Sequence, residues 1–171
     1  MQRIIMVSAL SALFIIPALA QSVQRRLGDF GHWTAAVQQA DGRKTCYAFT
    51  SATRMSHPRS DVLLMVTRRS QGGDDVAVVA GYRYPPRARV NVSVERTTLA
   101  FHAEGSVAFA QNGRAAIAAF RRGHEAVARG PRRAGRTGTV TDAFSLRGFS
   151  AAYNVISREC PTQGRRRSRG S

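Results

Sequence analysis

Hydrophobic and polar positions fall into two periods along this chain. From Arg89 to Glu95 (RVNVSVE) they alternate strictly: Val90, Val92 and Val94 face one way, Arg89, Asn91, Ser93 and Glu95 the other. That is the period of a strand buried on one face. Thr97–Ala103 repeats the pattern, with Leu99 and Phe101 on one face and His102 pointing outward. The apolar runs Asp61–Arg69 and Val76–Tyr84 sit between His57-Pro58, a Gly/Asp turn cluster at 71–75, and Pro85-Pro86. Such punctuation bounds strands, because proline cannot donate to a ladder. Ser106–Ala110, Glu125–Arg129 and Gly138–Leu146 add shorter candidates.

The period changes to that of a helix twice. Asn112-Gly113 opens the alanine-rich run Arg114–Arg122, which stops at Gly123. Phe149, Ala152, Tyr153 and Ile156 fall at i, i+3, i+4 and i+7, one apolar face of a helix over Phe149–Glu159. Cys160 continues that stripe, so it points toward the sheet. Short strands separated by turns, without strand–helix–strand alternation, predict a mostly β fold. The expected architecture is an antiparallel β-sandwich, jelly-roll-like, with two short helices, one of them C-terminal.

The two ends differ from this middle. Residues 1–20 read as a secretory signal peptide: Arg3, an apolar run from Ile4 broken by Ser8, Ser11 and Pro17, then Ala18-Leu19-Ala20 as the cleavage pattern. The run is short for a membrane span and contains a proline. Residues 21–28 read as a flexible leader, 29–161 as a single β-sandwich domain, and 162–171 as a disordered arginine-rich tail. Trp33, the lone tryptophan, is expected to anchor the core where the fold opens. Export places the protein in the periplasm or outside the cell.

Charge adds a second theme. The 171 residues hold 26 Lys+Arg against 10 Asp+Glu, a net charge of +16, and Lys44 is the single lysine. A basic surface of this kind favours anionic partners or is simply a solvated face. Arg132, Arg133 and Arg136, in the loop between two predicted strands, and Arg165, Arg166, Arg167 and Arg169, in the tail, are the candidate anion-binding residues. No aromatic residue interleaves the tail, so single-strand stacking and sequence-specific nucleic-acid reading are disfavoured.

Cys46 and Cys160 are the two cysteines. An even pair behind a signal peptide is most simply a disulfide. A reactive thiol or a metal ligand is the alternative, but there is no Cys-x-x-Cys and the spacing does not match zinc sites. His32, His57, His102 and His124 lie in four separate segments and pair with nothing in sequence. No serine stands in Gly-x-Ser-x-Gly, and no glycine-rich loop has a nucleotide-binding pattern. The sequence therefore offers no catalytic residue, no metal set and no cofactor site. Asn91-Val92-Ser93 fits a glycosylation sequon but lies inside a predicted strand.

Gly31-His32-Trp33, Cys46-Tyr47, the strand ending Val66-Thr67-Arg68-Arg69, Gly81-Tyr82, the block from Gly138 to Ala152 (GTVTDAFSLRGFSAA) and the closing Cys160 occur in an order that resembles the invasion-associated locus B family of exported bacterial proteins. The resemblance runs from about Phe30 to Pro161, and the GTxTDxFSLxGFSAA block is its most specific part. It implies a soluble or envelope-associated β-sandwich with no established enzymatic activity. The expected function is a non-enzymatic interaction module of the envelope or exterior, with a protein or envelope partner and a link to host-cell association. The alternative is an electrostatic binder of lipopolysaccharide, anionic lipid or glycosaminoglycan through surface and tail arginines.

Overall fold

The structure is a computed structural model that describes residues 23–40, 42–69 and 72–162. Residues 1–20, expected to be a signal peptide, the first leader residues and the tail arginines Arg165, Arg166, Arg167 and Arg169 lie outside the described residues. Among the described residues there are eleven strands: β1 (Val23–Phe30), β2 (Trp33–Ala40), β3 (Arg43–Ser51), β4 (Arg54–Met55), β5 (Leu63–Arg69), β6 (Asp74–Val79), β7 (Arg89–Val94), β8 (Thr97–Glu104), β9 (Val107–Ala110), β10 (Glu125–Pro131) and β11 (Thr139–Ser145). Helix α1 (Gly113–Phe120) follows β9, and α2 (Phe149–Glu159) follows β11.

The strands pair antiparallel in the order β1-β2-β3-β5-β6-β9-β8-β7-β10-β11-β4. The mostly β fold with a C-terminal helix is as expected, and the two faces of the sandwich turn out to be one continuous sheet. The short β4 follows β3 after only Ala52 and Thr53, yet it pairs with β11 at the far end of the ladder. Thr53 N donates to Ala143 O at 2.8 Å, and Ala52 N to Val62 O at 3.0 Å. The sheet therefore curls until β11 meets β3, and one core fills its inside.

The alternation seen in sequence points into that core. Val90, Val92 and Val94 of β7 and Leu99 and Phe101 of β8 are buried. They are joined by Leu64, Val66, Val76 and Val78 of the central strands and by Phe144 of β11. Each such side chain contributes roughly 1.5–3 kcal/mol by leaving water. α1 lies against β6 and β8, and the Asn112 side chain caps it by accepting from Ala115 N at 3.0 Å. α2 lies across β1, β2, β3 and β5. Its Phe149 meets Trp33 at 4.8 Å and Phe120 at 5.4 Å, both edge-on. Trp33 Nε1 donates to Ser145 O at 2.9 Å, so its buried polar atom is satisfied.

Gly148 permits this junction. Its φ is +95°, and a Cβ there would lie 1.7 Å from the Phe30 carbonyl oxygen. The Cys46 and Cys160 sulfurs are bonded to each other, joining β3 to the end of α2, with Cα atoms 6.1 Å apart. Both cysteines are buried, and no free thiol remains.

Two expectations need correction, and two strands were not foreseen. The leader 21–28 was expected to be loose, but Val23–Gly28 belongs to β1 and pairs along β2. Its first residues are exposed on both faces, so it shows no apolar alternation; the ladder holds it instead. β2 carries no clear strand signal, because Ala35, Ala36 and Val37 are buried in succession rather than alternately. β3 carries none because its less buried positions Tyr47 and Phe49 are aromatic, so its alternate burial does not show as apolar against polar. The strand expected over Val76–Tyr84 ends at Val79. Gly81 turns the chain out of the sheet with φ +70°, where a Cβ would meet Ser60 O at 2.4 Å.

Candidate functional site

The hairpin of β10 and β11 carries the loop arginines singled out above. Gly130 pairs with Val140 and Pro131 with Thr139 at its last rungs. Beyond them Arg132 N donates to Gly138 O at 3.2 Å, and Arg136 N to Arg133 O at 3.1 Å. These bonds fold the loop into a compact tip that holds Arg132, Arg133 and Arg136 together.

The facing wall comes from the segment that leaves β6. Tyr82 Oη donates to Pro131 O at 2.6 Å and ties that segment to the foot of the hairpin. The Tyr82 and Tyr84 rings meet edge-on at 5.0 Å. Burial raises both phenols above their ordinary value, Tyr84 the more strongly.

The floor is supplied by the linker between β4 and β5. Arg59 donates from Nε to Ala80 O at 2.8 Å and from Nη1 to His57 O at 2.9 Å. Its Nη2 donates to Asp142 Oδ2 at 2.6 Å, and its guanidinium lies 5.4 Å from the Tyr82 ring centroid. Asp142 stands on β11 and is almost fully buried. Burial pushes its carboxyl above the ordinary value; the hydrogen bond and charge of Arg59 offset this only in part. Asp142 Oδ1 is buried without a hydrogen-bond partner.

Together these elements enclose a cleft of about 350 Å³. His57, Arg59, Tyr82 and the three hairpin arginines line it, with Gly81 and Val140 between them. Among the described residues, Arg132, Arg133 and Arg136 form no ion pair with a carboxylate. Five acids elsewhere, Asp29, Asp74, Asp75, Glu125 and Glu159, each pair with an arginine or lysine, while Asp61 and Glu95 pair with none among the described residues. Other described arginines, such as Arg87, Arg96 and Arg122, also lack a carboxylate partner; the hairpin three differ in lining one concave site together, which focuses their field.

The structure brings Arg132, Arg133 and Arg136 into one site and adds His57, Arg59, Tyr82 and Asp142, which the sequence reading did not select. Gly81-Tyr82 and Thr141-Asp142 were visible there only as parts of a family pattern. Arg59 and Asp142 are 83 positions apart, and nothing in sequence joins them.

His57 invites comparison with a hydrolytic site, since Ser56 Oγ lies 3.1 Å from its Nδ1. That contact is between chain neighbours, and Ser56 Oγ already accepts from Thr141 N at 3.0 Å. The acid that would orient the ring, Asp142, is held by Arg59. Nucleophile, base and orienting acid do not form one relay. Among the described residues no group of three or more His, Cys, Asp and Glu side chains is placed to hold a metal.

Comparison with known proteins matches residues 33–157 to the family described as Invasion associated locus B (IalB) protein. The chain belongs to the IalB family. The crystal structure of invasion associated protein B from Bartonella henselae has the same fold, with a TM-score of 0.62 and 17% sequence identity. The match covers 77% of this chain and 95% of that one. Among curated protein sequences, none matches. Within the IalB region, the block from Gly138 to Ala152 serves two places at once. Asp142 anchors Arg59 beneath the cleft, while Gly148 and Phe149 set the junction whose helix ends at the disulfide.

Proposed function

We propose that this IalB protein is an exported, non-catalytic interaction module that holds an anionic group of its partner in the arginine-lined cleft. The observation that carries the reading is the set of three hairpin arginines, without a carboxylate partner among the described residues, gathered in one cleft with Arg59, which Asp142 holds, and Tyr82, which is tied to Pro131. Guanidinium groups are suited to carboxylate, phosphate and sulfate because their planar forks donate two parallel bonds. The signal-like residues 1–20 and the buried disulfide support action in the periplasm or outside the cell. The name of the Bartonella relative supports a partner met during host-cell association. No described helix is long and apolar enough to cross a membrane.

The lack of a catalytic relay favours binding over chemistry. The arginines of the tail are a rival source of the same electrostatics. Titration calorimetry with inorganic tripolyphosphate separates the two. The full protein is expected to bind with an affinity that falls steeply with salt. The R132A/R133A/R136A variant is expected to bind at least about tenfold more weakly, since charge-assisted bonds of about 1.5–3 kcal/mol are lost. Deleting residues 163–171 is expected to leave most of the affinity. An unchanged triple variant, or complete loss on deleting the tail, rejects the cleft.

A further inference from the structure

The cleft does not end at Tyr82. A second chamber of about 690 Å³ shares Gly81, Tyr82 and Arg133 with the first. It runs on past Arg83, Tyr84, Pro85 and Pro86 toward the turn after β8. This wall is firmly built: Tyr84 N donates to Gly105 O at 2.8 Å, and Ala88 N to Pro85 O at 3.2 Å. The two chambers adjoin across Gly81, Tyr82 and Arg133, and taken together as one groove they carry cations at the hairpin and at Arg83, with ring and proline surface alongside. Like the hairpin arginines, Arg83 has no carboxylate partner among the described residues.

A single phosphate or sulfate would leave most of this groove empty, since chambers of this size suit whole drug-sized ligands. The shape asks for a chain that carries anions at intervals and offers flat carbon faces between them. Building on the cleft reading above, we infer that the groove binds a linear acidic polysaccharide. Its sulfate or carboxylate groups meet Arg132, Arg133, Arg136 and Arg83, and its sugar rings lie on Tyr82 and the Pro85-Pro86 wall.

Two other polyanions fit less well. Single-stranded nucleic acid stacks successive bases on several open aromatic faces, and this groove offers at most one, a single side of Tyr82. Tyr84 is 7% exposed, and one side of the Tyr82 ring is occupied by Arg59 while its hydroxyl is tied to Pro131. An anionic lipid needs an apolar slot for its chains. Among the described residues the exposed large hydrophobics are Val23 and Met55, and neither lines the groove.

The test is calorimetry on the full protein with heparin tetrasaccharide and dodecasaccharide, oligogalacturonate of matching lengths, tripolyphosphate, neutral dextran and a single-stranded oligonucleotide. Affinity for an acidic oligosaccharide is expected to rise about tenfold or more from the short to the long chain, with dextran not binding. Arg83→Ala is expected to weaken the dodecasaccharide about tenfold and to leave tripolyphosphate unchanged. A length effect with heparin alone assigns sulfate, and with oligogalacturonate alone carboxylate; either supports the inference. If tripolyphosphate or the oligonucleotide binds as tightly as the best long saccharide, the polysaccharide inference falls and the anion cleft stands. If none of the anions binds, both fall.

Discussion

Arg68 and Arg59 each pair with an aspartate and each lie beside a tyrosine ring, at 5.7 Å from Tyr153 and 5.4 Å from Tyr82. The first cluster is closed. Arg68 donates to both Asp74 oxygens at 2.8 and 2.7 Å, to Tyr153 Oη at 3.0 Å and to Cys160 O at 2.9 Å. Tyr153 Oη in turn donates to Asp74, and Arg121 also lies over the Tyr153 ring, at 4.9 Å, with its own bond to Asn154. Every charged group there is answered within the chain, next to the disulfide. The second cluster is left open. Asp142 keeps one oxygen without a donor, and its partner Arg59 shares the cleft with three arginines that pair with no carboxylate among the described residues. The same kit of arginine, aspartate and tyrosine is a fastener where it is saturated and a candidate site where it is not.

The disulfide gives the largest effect on the fastener side. Replacing Cys46 and Cys160 by serine is expected to cost about 4–5 kcal/mol in the chain-entropy account of a loop this long. Guanidinium unfolding measures it, and a loss below about 1 kcal/mol would show that the helix is held without the staple. Next come the two ion pairs. Arg68→Ala leaves Asp74 partly buried without its partner and is expected to cost about 3 kcal/mol, with no change in tripolyphosphate affinity. Arg59→Ala is expected to cost a similar amount and also to weaken binding, because it leaves the Asp142 charge unopposed beside the cleft. If the two variants behaved alike in binding, the contrast between the clusters would fail.

A smaller effect concerns protons. The Asp142 carboxyl is raised on folding by burial, so the folded chain holds this proton more tightly than the unfolded one. Stability from this group is full below the ordinary carboxylate value and is lost as pH rises through the raised folded value. Asp142→Asn is expected to flatten that part of the stability–pH curve, read by urea unfolding at a series of pH values. The smallest effect on stability belongs to R132A/R133A/R136A. Exposed side chains away from packing usually change stability by no more than about 0.5 kcal/mol. A large drop in its melting temperature would make the hairpin arginines part of the fastener after all.

The strands with one buried face were legible, since Val90, Val92 and Val94 and then Leu99 and Phe101 state their period directly. So was the last helix, whose stripe of Phe149, Ala152 and Ile156 leads to Cys160 and the staple. β1 was hidden because an exposed edge strand is held by backbone bonds that carry no residue signature. β2 was hidden because burial on both faces erases alternation, and alanine is a weak strand former. At the site, the hairpin arginines were visible as a charge run in a loop. Their neighbours were not, because Arg59 and Tyr82 reach the cleft from segments distant from the hairpin that only the curled sheet brings together, and Asp142 is tied to it only through Arg59. Tyr82 read as the end of a strand, and its turn depends on Gly81 packing against Ser60.

The most direct measurement is a nuclear magnetic resonance titration of isotope-labelled protein with heparin dodecasaccharide, followed through backbone and arginine side-chain signals. The account predicts shifts concentrated at His57, Tyr82, Arg83, Arg132, Arg133 and Arg136, with Arg68 and its neighbours unmoved. Shifts confined to the tail arginines, or spread evenly over the arginines of the whole surface, would contradict it.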